Sequence, residues 1–228
     1  MTASELPARG TLRGLVLAIA ALATLALGAC STVKYGALER VGIHKRDVLV
    51  SNVKGARKAQ KEAQEEFQDA LDRYLEVVEA EDSDLKRAYK RLNKEYEDAR
   101  DAASDVSSEI DDVENVAKAL FREWQKEIGE YSDASLRRDS ENKLRDTQAR
   151  ADSMIASMRE AEASMQPVLR TLRDNVLYLK HNLNAHAVGS LRSKFSELEG
   201  DIGNLVEQMR QSIARSDAFI AEMRNADG

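Results

Sequence analysis

Residues 89–124 read YKRLNKEYEDARDAASDVSSEIDDVENVAKALFREW. Apolar side chains stand at Tyr89, Leu92, Tyr96, Ala99, Ala103, Val106, Ile110, Val113, Ala117, Leu120 and Trp124, three and four positions apart with no polar interruption. That alternation keeps every apolar group on one face of an α-helix, the spacing of helices packed lengthwise on one another. Most positions between are charged, so the opposite face is solvated. A helix of this length with so narrow a stripe needs long neighbours to cover it.

Those neighbours are legible on both sides. Val53, Ala56, Gln60, Ala63, Phe67, Ala70, Tyr74 and Val77 repeat the spacing, with Gln60 the one polar member. The stripe then slips by one residue across Glu79-Ala80-Glu81-Asp82-Ser83-Asp84, where Ser83 is a candidate N-cap. This segment is expected to be a hairpin turn, the alternative being a stutter in one continuous helix. Gly129 to Ser135 is the next break, with Ser132 and Asp133 as candidate caps. A third, softer stripe runs from Leu144 through Met154, Met158, Met165 and Leu172 to Leu179. Pro167 lies within it and is expected to kink or divide the helix, because proline removes a backbone donor and crowds the preceding turn. After Asn182-Leu183-Asn184-Ala185, a fourth stripe carries Leu191, Phe195, Leu198, Ile202, Leu205, Met209, Ser212, Ser216, Phe219 and Met223.

Composition agrees. Beyond residue 30 there is one proline, charged residues are 32% of the chain and aromatics 5%, which suits long exposed helices better than a globular enzyme. The expected fold is all-α: an elongated antiparallel bundle or coiled coil of about four helices, near 47–80, 84–131, 134–182 and 186–225, within a bundle region 47–226. Matched lengths and short connections favour up-down pairing, bringing the turns at Glu79–Asp84 and Lys180–His186 to one end.

The start of the chain reads differently. Arg9 and Arg13 precede an uncharged run from Gly14 to Leu27 that ends in Leu27-Gly28-Ala29-Cys30. A positive segment, an apolar segment and small residues before a cleavage point mark a secretory signal. The Leu-Gly-Ala-Cys ending resembles the lipobox of bacterial lipoproteins. Residues 1–29 are therefore expected to be removed, leaving 30–46 as a lipidated Cys30 and linker, with acyl chains such as palmitate as the membrane anchor. The rival reading is an uncleaved anchor from Gly14 to Val33, just long enough to span a bilayer. Ser31, where an aspartate would favour retention, points to the periplasmic face of the outer membrane rather than the inner membrane. Cys30 is the only cysteine, so no intrachain disulfide forms.

The net charge is −6 at pH 7, and no block of Lys and Arg stands in the sequence, which argues against nucleic-acid binding. No Gly-rich phosphate loop, nucleophile elbow or cysteine nucleophile beyond Cys30 is present, so no catalytic residue is assigned and an enzyme is not expected. No cofactor is expected beyond the covalent lipid on Cys30.

Several segments carry a resemblance to a family. Val41-Gly42-Ile43-His44-Lys45-Arg46-Asp47, Leu120-Phe121-Arg122-Glu123-Trp124, Ala134-Ser135-Leu136-Arg137-Arg138, Met165-Gln166-Pro167-Val168-Leu169 and Leu179 through Ala185 are together similar to the uncharacterised proteobacterial lipoprotein family known as domain of unknown function 2959. The resemblance covers essentially the whole mature chain. It implies a lipoprotein and supplies no activity, substrate or site residue.

The remaining candidates are few. His181 and His186, beside Glu81, Asp82, Glu79 and Asp84 at the expected far end, form a mixed set able to hold a divalent cation or shift a histidine pKa, although a solvated helix end is the commoner outcome. Asp101, Asp105, Glu109 and Asp112 share one helix face, expected to be solvated. Met154, Met158 and Met165 are expected to fill the core, as is Trp124 with Leu120 and Phe121. The functional expectation is a lipid-anchored periplasmic rod serving as a structural, spacing or protein-interaction element of the envelope. Its partners are the membrane and an envelope protein; the alternative is a cation or pH sensor at the His/acidic end. Replacement Cys30→Ser should leave the precursor uncut and unlipidated; mass spectrometry that found normal maturation would remove the basis for the anchor.

Overall fold

The computed structural model describes residues 45–80 and 84–225. The signal segment, Cys30, and the turn residues Glu81, Asp82 and Ser83 lie outside them. The chain divides into Met1–Lys45 and Arg46–Gly228, and the four helices belong to the second unit but for the first residue of α1. They are α1 (Lys45–Glu79), α2 (Leu85–Ile128), α3 (Ala134–His181) and α4 (Ala185–Asn225). Among the described residues there is no strand and no helix long and apolar enough to cross a membrane. At about 1.5 Å per residue the helices extend roughly 50 to 70 Å.

Cross-helix hydrogen bonds give the topology. Asn52 Nδ2 donates to the Asp112 carbonyl at 3.1 Å, and Arg91 Nε to Glu76 Oε2 at 3.0 Å, so α1 and α2 run antiparallel. The segment after Glu79 is thus a hairpin and not a stutter. Trp124 Nε1 donates to Ser140 Oγ at 2.9 Å and Arg159 Nε to Glu114 at 2.7 Å, pairing α2 with α3. Arg150 reaches Glu222 at 3.3 Å between α3 and α4. The ring closes where Tyr74 Oη donates to the Leu191 carbonyl at 3.1 Å between α1 and α4. The result is an up-down-up-down four-helix bundle in which each helix has two neighbours.

Local signals explain the ends. Asp133 Oδ1 accepts from the backbone N–H of Ser135 at 2.6 Å and of Leu136 at 3.1 Å, capping α3. Its carboxyl pKa lies below the ordinary carboxylate value because the Ser135 hydroxyl and these two amides donate to it. Asn184 Oδ1 accepts from Ala187 N at 3.0 Å at the start of α4. Pro167 does not divide α3, which continues from Ala134 to His181. Pro167 and Ala163, whose carbonyl loses its partner, both face solvent, so the orphaned acceptor is on the exposed side of the helix while Met165 and Val168 stay buried.

The core is long and thin. Phe67, Tyr74, Leu92, Ile110, Met158, Met165 and Leu172 are buried, and the rings of Tyr74 and Phe195 stack with centroids 6.1 Å apart. The α2 stripe needs correction. Tyr89, Tyr96, Leu120 and Trp124 are half-buried, while Leu85, Ala88, Val116, Phe121 and Ile128 are buried. A helix covered by two neighbours buries a wider arc than a single seam, so residues flanking the stripe go inside.

One buried layer is polar. Gln60, the exception in the first stripe, is fully buried with Ser212 and Ser216. Gln60 Nε2 donates to Ser212 Oγ at 3.0 Å, that hydroxyl lies 3.2 Å from Gln60 Oε1, and Ser216 Oγ donates to the Ser212 carbonyl at 2.9 Å. Replacement Gln60→Ala removes buried volume and strands the Ser212 hydroxyl, an expected loss of about 2–4 kcal/mol in urea denaturation. The pair Gln60→Leu with Ser212→Ala should recover most of it; equal losses would mean that the polar pairing is not what the site depends on.

Candidate functional site

Two cavities open along the seam between α2 and α3. At its middle, Arg159 of α3 meets three carboxylates: Glu114 Oε1 at 2.7 Å from Nε, Glu162 Oε2 at 2.8 Å from Nη1, and Asp111 on Nη2. Lys118 reaches Glu114 at 3.2 Å from the adjacent turn of α2. Partial burial opposes the guanidinium charge, but the hydrogen bonds to Glu114, Asp111 and Glu162 outweigh it and raise its pKa. The hydrogen bond from Arg159 holds the Glu114 carboxyl below its ordinary value, with Lys118 adding to the effect against burial. A half-buried planar fork filled on three sides is a rigid tie between two helices.

A groove lies on each side of this tie. Toward the Ile128 end of α2, a cavity of about 650 Å³ has Ala117, Phe121, Leu144 and Ile155 among its walls. Its charged rim carries Lys118 and Arg122 against Glu114 and Asp152, a balanced set. Toward the middle of α2, a second cavity of about 450 Å³ is floored by Ala103 and Leu169. Arg100, Arg170 and Arg173 stand around it with Tyr96, Ser104, Ser107 and Gln166; its one acid, Glu162, already belongs to Arg159. Sequence reading missed both grooves, since their walls come from segments tens of residues apart.

The sequence-derived candidates fall elsewhere. His181 and His186 are both exposed, on either side of the α3–α4 turn, and Glu79 is exposed beside the α1–α2 turn. Asp84 pairs with Arg87 at 3.1 Å. Glu81 and Asp82 lie outside the described residues, and among those described neither histidine joins a group of three potential metal ligands. The group that does form is Glu66, Asp69 and Glu95, with oxygens within 4.8 Å of one another. Burial, then Asp98, Glu95 and Asp69, raise the Glu66 pKa.

The acidic face of α2 is only partly solvated. Asp101 pairs with Arg100 at 2.7 Å and Asp105 is exposed, but Glu109 lies over Gly55, and Asp112 is joined to α1 through its carbonyl. Met154, Met158 and Met165 are buried. Trp124 is half-buried; besides its bond to Ser140, the Arg46 guanidinium sits 5.6 Å from the ring centroid, so it ties α1, α2 and α3 at the bundle end instead of filling the core.

Replacement Arg159→Gln leaves three carboxylates facing one another and should cost about 1–3 kcal/mol near pH 7. Because the folded Glu114 pKa is lowered from 4.5, its contribution exists above that value and is lost as pH falls through the lowered one. Urea denaturation should therefore show the penalty shrinking as the pH is taken progressively below 4.5, and an undiminished penalty would assign Arg159 a packing role instead.

No curated protein and no solved structure matches the chain. Residues 34–223, nearly the whole bundle and the segment before it, match the family described as Protein of unknown function (DUF2959), and the chain belongs to that family.

Proposed function

We propose that the protein is a lipid-anchored element of the bacterial envelope. In this reading Cys30 carries the lipid at the periplasmic face of the outer membrane, and the four-helix unit is a stiff structural spacer that engages an envelope protein along the α2–α3 seam. The observation that carries the reading is the larger groove beside the Arg159 tie, with its apolar wall and balanced charges. The Leu27-Gly28-Ala29-Cys30 ending supports the anchor.

The partner side of the reading rests on surface chemistry. The larger groove combines an apolar floor containing Phe121 and Leu144 with a rim of paired charges and amides, including Asn115 and Gln148. Such a mixture suits a protein surface, since apolar area supplies association and polar groups fix orientation. A photo-crosslinking residue at Asn115 or Gln148 in living cells should give a defined protein adduct, whereas Lys61 or Gln211, exposed on α1 and α4, should give none. Fractionation should place the protein with the outer membrane. Indiscriminate labelling at all four positions would refute the seam, and recovery from the soluble fraction would refute the anchor.

A further inference from the structure

The smaller groove differs from its neighbour in charge. Arg100, Arg170 and Arg173 converge on it from two helices, in a chain whose net charge is −6. Among the described residues Arg100 is paired with Asp101, its exposed neighbour in sequence. Among the described residues Arg170 and Arg173 make no ion pair, and Asp174 beside them pairs with neither. They lie three positions apart on one face of α3, and Ser104 and Ser107 line the same groove from α2. The guanidinium forks of Arg170 and Arg173 are donors, and two like charges with no ion-pair partner among the described residues are stabilised by an anion placed between them.

The geometry points to a binding site here for a small soluble molecule carrying a phosphate group, with Arg170 and Arg173 on the phosphate, Arg100 and Tyr96 beside them, and Ser104 and Ser107 further along the groove toward the organic part. A volume of about 450 Å³ is in the usual range for small-molecule sites and exceeds what a bare anion needs. The dianionic charge of a phosphate monoester matches the two guanidinium charges of Arg170 and Arg173 better than a single carboxylate does. On α2 the lining runs from Tyr96 to Ser107, centred roughly 25 Å from the start of that helix, and on α3 Arg173 stands roughly 12 Å before the end at His181. This site is separate from the partner-protein reading: its test uses purified protein alone, so either can fail while the other stands.

Calorimetric titration of the purified full chain with glycerol 3-phosphate should give saturable binding that weakens with added salt. Amide shifts should map to residues 96–107 and 162–173. The double replacement Arg170→Gln with Arg173→Gln should weaken binding about tenfold or more, and removal of two exposed cations elsewhere, Lys61→Gln with Arg215→Gln, should change it by less than about twofold. Ser104→Asp, which leaves the arginines in place, should also weaken it, and unchanged circular dichroism separates these losses from misfolding. The site is overturned if no saturable binding occurs, or if the control pair loses as much affinity as the arginine pair. Equal affinity for succinate would overturn the phosphate assignment. Capture by vesicles containing phosphatidylglycerol without binding of glycerol 3-phosphate would replace the soluble ligand with a membrane surface.

Discussion

The bundle depends on one constraint: each helix carries an apolar stripe too narrow to form a core and too long to leave in water. Burial of the side chains at three- and four-residue intervals is the main favourable term, and a long stripe is covered only by a partner running along its whole length. Four helices of 35, 44, 48 and 41 residues joined by short connections meet that requirement by alternating direction. Most cross-helix ion pairs lie on the exposed flanks, where solvent screening leaves each worth little.

Apolar stripes alone specify pairing weakly, because a slide by one heptad replaces one set of contacts with a similar set. Polar groups inside the bundle remove that freedom. Gln60 against Ser212 and Tyr74 against the Leu191 carbonyl are satisfied in one register of α1 on α4 and stranded in others. Arg159 does the same between α3 and α2, with the difference that its carboxylates reach the surface. Register and groove geometry are therefore linked: the tie that aligns α2 with α3 also separates the two cavities on their seam.

Much of the fold was legible in the residues. Uninterrupted spacing from Tyr89 to Trp124 marked α2, the stripe slip after Val77 marked a turn, and Asp133 was recognisable as a cap because its side chain acts on amides two and three residues ahead. Pro167 misled because the cost of proline depends on whether the carbonyl one turn earlier faces water, which local sequence does not state. Tyr89, Tyr96 and Leu120 misled for a related reason: a stripe gives the centre of the buried face, and its width depends on how many neighbours cover it.

Sequence by itself determined the all-helical class, the number of long helices and the membership signalled by segments such as Leu120–Trp124, because helical periodicity and turn chemistry act over a few residues. Only the tertiary structure decided that α1 and α2 form a hairpin, that His181 and His186 stay exposed without a third described ligand, and that three arginines meet at one groove. Arg100 and Arg170 are 70 residues apart, and no basic block appears along the chain. They become neighbours because antiparallel packing brings the first half of α2 against the second half of α3, and a local reading contains no information about that distance.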